Sequence, residues 1–291
     1  MKHHRKDISR NTITGMVLNI FLFAIKVFGG FFWKSSALIA DGFHSLSDLS
    51  TDILILVGSK YWSQPCDESH PHGHQRIESI ISAILGIFLF FVGMTLIYSA
   101  IKKIIHTSVF IRPSIFTIFV AIISVISKEA LFRYTLRVGK KTKSDSVILN
   151  AWHHRSDAIS SIFVLFSLIL SIFSDKLAIM DKIGSILIGG MILQLSVNTL
   201  ISNFNKLSDQ AAPPEFVENL RQNILSFDMV LDTHAIRTRY LGNYLSVDFH
   251  ILVNPNISVA EGHRIAGKVK RNIMKNFPDI IDIIIHIEPK E

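Results

Sequence analysis

The stretch "ALIADGFHSLSDLSTD", residues 37–52, decides the fold because it sets ionisable side chains into an otherwise apolar segment of membrane-spanning length. His44 and Asp48 are four residues apart, so a helix stacks them on one face. A carboxylate in the middle of a bilayer costs about 2.5–3.5 kcal/mol on insertion scales, so such residues usually have a partner or line a polar path. This pattern therefore indicates a functional site inside a membrane.

A second stretch, "NAWHHRSDAISS" at residues 150–161, repeats the same spacing with His153 and Asp157. Two such helices facing each other would present two imidazoles and two carboxylates, a ligand set that suits tetrahedral Zn²⁺. The alternative is a helix-packing network in which these groups bond only to one another. His154 points about 100° away from the paired face, so we expect a supporting or packing role for it.

The composition indicates a membrane protein. The chain has 291 residues, of which 49% are hydrophobic and only 18% are charged. Its single cysteine, Cys66, excludes a disulfide framework within the chain and a CxxC metal site. The net charge of +7 comes from basic residues gathered at the ends of apolar segments, which is typical of topology signals rather than of nucleic-acid binding.

Apolar windows of spanning length predict six transmembrane helices. The windows are residues 12–33, 36–61, 77–101, 113–136, 145–173 and 183–204. An even number of helices puts both termini on one side, and the loops on that side are richer in Lys and Arg. The positive-inside rule therefore predicts cytoplasmic termini for an integral, multi-pass protein of the lipid bilayer. The first segment has no small-residue cleavage pattern, so we expect it to remain as an anchor.

The composition changes at "SDQAAPPE", residues 208–215, where prolines end the apolar pattern. We predict a six-helix transmembrane domain over residues 1–208 and a second, soluble domain over residues 209–291. The helical and alternating stretches of the second domain follow the order αββαβ, which predicts a small α+β sandwich with both helices on one face of the sheet.

Strand alternation places polar residues together in this second domain. Ser246, Asp248 and His250 share one face of a strand, and His286 and Glu288 share a face of the last strand. The alternative is that the histidines of this domain are ordinary surface residues.

Two further features stand outside these patterns. The loop "CDESHPHGH", residues 66–74, packs one Asp and three His around a Pro and Gly turn, which predicts either a metal site or a solvated histidine-rich loop. In the fourth apolar segment we expect Lys128 and Glu129 to form a buried ion pair with a structural role.

Together, "ALIADGFHSLSDLSTD", "HPHGHQRIES" and "NAWHHRSDAISS" resemble the signature stretches of the cation diffusion facilitator family of divalent-metal transporters. The resemblance covers nearly the whole chain. It implies a Y-shaped homodimer, six transmembrane helices, a cytoplasmic domain of ferredoxin-like or metallochaperone-like fold, and export of metal from the cytoplasm in exchange for protons. The chain is then a transporter and not an enzyme, and the sequence has no HExxH zinc-hydrolase motif.

The resemblance also implies four groups of functional residues. The transport site falls on His44, Asp48, His153 and Asp157, and the loop site on Asp67, His70 and His74, with His72 as an additional histidine. The cytoplasmic site falls on His234, His250, His286 and Glu288, where many members have Asp in place of Glu, with His263 as a bridging candidate. Arg76 and Asp209 match a charge pair that links the two domains across the dimer.

Histidine at both first positions of the transport site favours Zn²⁺ over Mn²⁺, because imidazole suits zinc and carboxylates suit manganese. Since imidazole binds metal only when neutral, protons and metal compete for it near physiological pH. We therefore expect proton-coupled zinc efflux, with Zn²⁺ as both substrate and regulator, in a bacterial plasma (inner) membrane. The alternatives are Fe²⁺, Mn²⁺, Co²⁺ or Cd²⁺ as the main cargo, or a membrane metal sensor that transports nothing.

Overall fold

The computed structural model describes residues 2–53, 61, 64–106, 111–142 and 145–290. Six long helices precede the C-terminal domain in these residues: α1 (Lys2–Phe32), α2 (Ser36–Ile53), α3 (Arg76–His106), α4 (Phe116–Thr142), α5 (Asp145–Phe173) and α6 (Met180–Leu207). Each coincides with one of the six predicted apolar windows, although part of the second window, residues 54–60, lies outside the described residues. A 3₁₀ turn, Asp175–Ile179, precedes α6. Helix α1 packs on α2 and α4, and α5 packs on α2 and α4.

Four stretches in the described residues are long and apolar enough to cross a membrane: Arg10–Phe32, Arg76–His106, Asn150–Phe173 and Asp175–Leu207. Helices α2 and α4 are not among them. Both helices carry charged residues in their middles, Asp41 and Asp48 in α2 and Lys128 and Glu129 in α4, which lower their hydropathy. The two helices with the weakest membrane signal therefore carry their charges in mid-helix.

The helices α1 to α6 are apolar outside and partly polar inside. Large side chains such as Phe28, Phe91 and Phe166 are exposed, whereas Ala37 and Ser45 are fully buried. Small residues at the contacts allow helices to approach closely within a bilayer. Gly42 in α2 is one example, because a Cβ atom there would lie 2.6 Å from a methyl carbon of Val27 in α1.

A buried ion pair joins α1 to α2. Lys26 Nζ lies 2.8 Å from Asp41 Oδ2, and both side chains are 0% exposed. The same ammonium donates to Ser45 Oγ at 3.0 Å, and Ser161 Oγ of α5 donates to Asp41 Oδ1 at 3.2 Å. The pair thus holds three helices through groups that are costly to leave unpaired in an apolar medium.

The first backbone N–H groups of α2 donate hydrogen bonds to a carboxylate of α6. Asp181 accepts hydrogen bonds from Ser35 Oγ at 2.6 Å, from the backbone N–H of Ser36 at 2.8 Å and from that of Ala37 at 3.1 Å. Free N–H groups at a helix start need acceptors, and a negative charge there also stabilises the helix dipole. Asp181 therefore fixes the start of the helix that carries His44 and Asp48.

The C-terminal domain contains α7 (Pro214–Leu225), β1 (Asp232–Leu241), β2 (Tyr244–Val253), α8 (Val259–Asn276) and β3 (Ile280–Pro289). The sheet order is β1-β2-β3, with β1 and β2 antiparallel and β2 and β3 parallel. Leu220 of α7 and Val269 of α8 pack with Val247 and Phe249 of β2 in one core. Both helices therefore cover one face of the sheet, in the predicted αββαβ order.

The chain forms two compact units. One comprises Met1–Val57 and Ile84–Asn198, and the other comprises Gly58–Ala83 and Thr199–Glu291. The start of α3 and the end of α6 thus belong to the same unit as the C-terminal sheet. The predicted domain boundary between residues 208 and 209 stays a prediction.

The turn between β1 and β2 contacts both helix ends inside the second unit. Asn243 Nδ2 donates to Glu78 Oε1 of α3 at 2.5 Å, and Lys206 Nζ of α6 donates to Asn243 Oδ1 at 2.7 Å. Gly242 has φ +63°, and a Cβ atom there would lie 2.6 Å from the carbonyl oxygen of Gln75. Glycine is therefore required at this turn for its conformation and for the close approach.

Replacing Lys26 tests the buried pair. Lys26→Met leaves Asp41 without its cation, so we expect a loss of about 3–5 kcal/mol in stability. Adding Asp41→Leu removes the stranded charge and should restore most of it. The measurement is the thermal unfolding midpoint of purified protein in detergent, and a double variant no more stable than Lys26→Met would contradict the ion-pair explanation.

Candidate metal centres

Three predicted ligands converge inside the helical unit. His44 and Asp48 of α2 and Asp157 of α5 are all buried, and one ligand atom from each lies within 4.8 Å of the others. His44 Nε2 is 3.6 Å from Asp157 Oδ1. Tetrahedral zinc with bonds of about 2.0–2.2 Å separates neighbouring ligand atoms by about 3.3–3.6 Å. The spacing of these two atoms is therefore close to what a zinc ion requires.

The buried ligand atoms also lack other partners. Both ring nitrogens of His44 and Oδ1 of Asp48 have no hydrogen-bond partner among the described residues. Buried polar atoms in proteins are nearly always satisfied, so these orphaned atoms need an explanation. A cation bound in this group would satisfy one nitrogen of the His44 ring and Oδ1 of Asp48, and the nitrogen and oxygen donors suit a divalent metal.

His153 lies at the edge of this group. Its side chain is 52% exposed, and its Nε2 is 3.8 Å from Asp48 Oδ1 and 4.0 Å from Asp157 Oδ2. A small side-chain movement would bring it to bonding distance. The neighbouring His154 is buried, with Nδ1 3.9 Å from Asp157 Oδ2 and Nε2 3.4 Å from the Asn150 amide nitrogen.

Lys128 enters the site in a way that the sequence pattern did not predict. Its Nζ donates to Asp48 Oδ2 at 2.8 Å and to Asp157 Oδ2 at 3.2 Å. The expected pairing of Lys128 with Glu129 is wrong, because Glu129 accepts from Arg133 at 2.7 Å. Adjacent helical residues point about 100° apart, so they do not share a face. A lysine inside a membrane segment was the available signal, since such residues usually mark a functional site.

The loop between α2 and α3 holds a second group. Asp67, His70 and His74 offer ligand atoms within 4.8 Å of one another. Asp67 Oδ2 is 3.3 Å from His74 Nε2, and Asp67 Oδ1 is 3.5 Å from His70 Nδ1. The ring of His74 is buried, whereas the other two side chains are about half exposed. His72 is exposed and lies outside this group.

Hydrogen bonds within the loop stabilise the charged form of Asp67. The Ser69 hydroxyl donates to Asp67 Oδ1 at 2.8 Å, and the backbone N–H of His70 donates to it at 2.6 Å. These hydrogen bonds favour the charged form and lower the pKa of the Asp67 carboxyl. Any stabilisation that they give the loop is present above the ordinary aspartate pKa and is lost as the pH falls through the lowered value.

A third group lies on the C-terminal sheet. His234 of β1 pairs in register with His250 of β2, which pairs with His286 of β3, so the three histidines form a row across the sheet. A β-bulge follows His234, where Ala235 has φ +51°. The bulge interrupts the pairing of β1 with β2 next to the row, and the pairing resumes at Arg237.

Glu288 connects the row. It lies 3.2 Å from His234 Nε2, 2.8 Å from His250 Nδ1 and 3.5 Å from His286 Nε2. The tightest set of ligand atoms is His234, His250 and Glu288. His286 stands beside this set with its side chain 63% exposed. His263 on α8 is exposed and is not one of the set.

The predicted charge pair forms within one chain. Arg76 at the start of α3 donates from Nη2 to Asp209 Oδ1, directly after α6. The resemblance had implied a pair across the dimer. Asp209 has φ +60°, so its backbone turns sharply at the contact. Because both side chains are about half exposed, the pair contributes more to position than to stability.

Comparisons with known proteins cover almost the whole chain. The family model described as the cation efflux transmembrane domain matches residues 12–208, and that of the cation efflux protein cytoplasmic domain matches residues 212–290. An uncharacterised transporter of Methanocaldococcus jannaschii is 36% identical, over 97% of this chain and 99% of that protein. The manganese efflux system protein MneP of Bacillus subtilis is 30% identical, over 99% of each. A solved structure of CzrB is 30% identical, covers 28% of this chain and 99% of its own, and has a TM-score of 0.26.

The two family-model matches confirm the predicted fold class. The chain has a helical transmembrane domain followed by a small cytoplasmic α+β domain.

The group of His44, Asp48 and Asp157 predicts a larger effect for its own histidine than for the neighbouring His154. His44→Ala removes a buried nitrogen ligand that faces Asp157, so we expect the metal affinity of this group to fall at least about 100-fold. His154→Ala is the matched control, because its ring is buried next to Asp157 but outside the group, and the loss should stay near 10-fold. Cd²⁺ or Zn²⁺ titration of detergent-purified protein measures both, and equal losses would contradict this assignment.

The sheet group predicts a metal-dependent stability. Bound metal stabilises the folded state by about 2.7 kcal/mol when its concentration is 100 times the dissociation constant. Glu288→Gln removes the carboxylate that contacts all three histidines, so zinc should protect the C-terminal domain less from proteolysis. Glu218→Gln, an exposed change on α7, should keep the zinc protection of the unchanged chain. Equal protection in both variants would exclude Glu288 as a ligand.

Proposed function

Because this chain belongs to the cation diffusion facilitator family of cation efflux proteins, which are multi-pass membrane transporters of divalent metals, we propose that it exports Zn²⁺ from the cytoplasm in exchange for protons. The observation that carries the proposal is the convergence of His44, Asp48 and Asp157 inside the helical unit, where the His44 ring nitrogens and Asp48 Oδ1 have no hydrogen-bond partner among the described residues. His153, 3.8 Å from Asp48 Oδ1, is the fourth ligand of the transported ion.

The donor set supports coupling to protons. An imidazole nitrogen holds either a proton or a metal ion, and its unperturbed pKa of about 6.5 makes this competition effective near neutral pH. Metal from the cytoplasm displaces protons from His44 and His153, and protons from the opposite side displace the metal. Alternating access of this site to the two sides of the membrane then produces exchange.

Zinc is the proposed cargo because two of the four ligands are imidazoles. Manganese is the second candidate, since the Bacillus subtilis relative is named for manganese efflux and is 30% identical over nearly its full length. The same class of transporter could carry Fe²⁺, Co²⁺ or Cd²⁺, because selection among divalent metals in the cell depends on site geometry and metal availability as well as on ligand type.

The cytoplasmic groups support regulation by the same metal. The Asp67, His70 and His74 group and the row of histidines beside Glu288 would bind cytoplasmic Zn²⁺ and bring two copies of the C-terminal domain together. We propose a homodimer with both termini in the cytoplasm, in a bacterial plasma membrane. The pair of Arg76 and Asp209 would pass the change in the sheet to α3 and α6.

The test is metal flux into proteoliposomes with an imposed pH gradient. We expect the unchanged chain to move Zn²⁺ while it dissipates the gradient. Asp157→Asn should abolish the flux, whereas Asp175→Asn, an exposed acid paired with Arg112, should retain it.

Each other outcome has a distinct meaning. Flux of Mn²⁺ without Zn²⁺ would exclude zinc as the cargo, and zinc flux that leaves the pH gradient intact would exclude proton exchange. Binding without any flux would favour a metal sensor.

A further inference from the structure

Lys128 occupies a position that the proposed function does not explain. Its side chain is 1% exposed, and its ammonium lies between Asp48 of α2 and Asp157 of α5. A second buried lysine, Lys26, pairs with Asp41, which is not a ligand. Lys128 is thus the lysine that contacts two proposed metal ligands at once.

The contacts divide the oxygens of each carboxylate. Lys128 Nζ donates a hydrogen bond to Oδ2 of Asp48 at 2.8 Å and to Oδ2 of Asp157 at 3.2 Å. The two Oδ1 atoms face the histidines: Oδ1 of Asp157 is 3.6 Å from His44 Nε2, and Oδ1 of Asp48 is 3.8 Å from His153 Nε2. Asp48 therefore divides its oxygens between the lysine and the histidine side. Asp157 gives Oδ1 to the His44 side, while its Oδ2 lies 3.2 Å from Lys128 Nζ and 4.0 Å from His153 Nε2.

We propose that Lys128 is a positioning residue that sets the metal specificity of the membrane site, an inference that rests on the proposed function. Its ammonium holds both Oδ2 atoms, so each aspartate gives the ion a single oxygen. With two imidazole nitrogens the site then offers four donors, which matches tetrahedral zinc. Hard ions that take six or more oxygens, with carboxylates often bidentate, lose ligands that they need.

The charge of Lys128 also limits the affinity. Two aspartates and one ammonium give the site a net charge of −1 instead of −2, so a divalent ion binds against a weaker field. Conduction through a membrane site requires binding that is strong enough for entry and weak enough for exit. Lys128 thus lowers resting affinity and favours release of the ion.

The test compares Lys128→Met with Lys102→Met, an exposed lysine on α3. Zn²⁺ and Mn²⁺ affinities are measured by titration in nanodiscs, in a background of Asp67→Ala and Glu288→Ala that takes the carboxylate ligand from each of the two cytoplasmic groups. For Lys128→Met we expect at least about tenfold tighter binding of Zn²⁺ and a larger gain for Mn²⁺. The ratio of zinc to manganese affinity then falls at least about tenfold. Lys102→Met should leave both unchanged. A lysine that is only structural would leave the ratio unchanged, and that result would overturn the proposal.

A second measurement does not depend on the folding of Lys128→Met. X-ray absorption at the zinc edge, in the same background with Lys128 intact, should give four nitrogen and oxygen ligands. Five or six ligands would mean bidentate aspartates and would overturn the proposal.

Asp157→Asn separates this inference from the proposed function. If it abolishes binding and flux while Lys128→Met leaves the affinity ratio unchanged, only the role of Lys128 fails. If Asp157→Asn affects neither binding nor flux, the proposed transport site itself fails.

Discussion

Carboxylates inside an apolar helical unit are the constraint on which the rest of this structure depends. An unpaired buried charge costs several kcal/mol, so each acid must be matched by a cation or by a bound ion. Among the described residues of this unit, the buried acids are Asp41, Asp48, Asp157 and Asp181, and their cationic partners are Lys26, Lys128 and Lys182. Four carboxylates are thus matched by three ammonium groups, because Lys128 pairs with both Asp48 and Asp157. The unmatched negative charge therefore falls on the group that also holds the orphaned histidine atoms.

The same acids explain how the helices are arranged. Asp181 accepts a hydrogen bond from the first residue of α2. Asp41 links α2 to α1 and α5 through polar contacts, and Asp48 links it to α4. Helix α2 is thus held along its length by polar contacts to its neighbours. This matters because apolar side chains gain little by packing together when lipid is equally apolar. A helix with a weak membrane signal can stay in place because its charges are satisfied by other helices.

Local spacing made much of this structure predictable from the sequence. The four-residue separation of His44 and Asp48 requires only that a helix forms, and strand alternation placed His286 and Glu288 on one face. The contacts of Lys128 could not be predicted in this way, because its partners lie on α2 and α5 and depend on how three helices pack. The row of histidines likewise depends on strand register, which the alternation of one strand does not specify. The exposure of His153 and His263 could not be predicted either, because it is set by neighbours from other parts of the chain.

The turn between β1 and β2 has a practical consequence. Hairpin tips are usually the part of a domain that best tolerates insertions, affinity tags and proteolytic nicking. In this chain Gly242 and Asn243 are in contact with the start of α3 and the end of α6, so the hairpin tip is packed against other elements and is not a free loop. A fluorophore or epitope placed there would separate the sheet from both helix ends. Reporter groups for this protein belong instead on the exposed surface of α8, for example at Lys268.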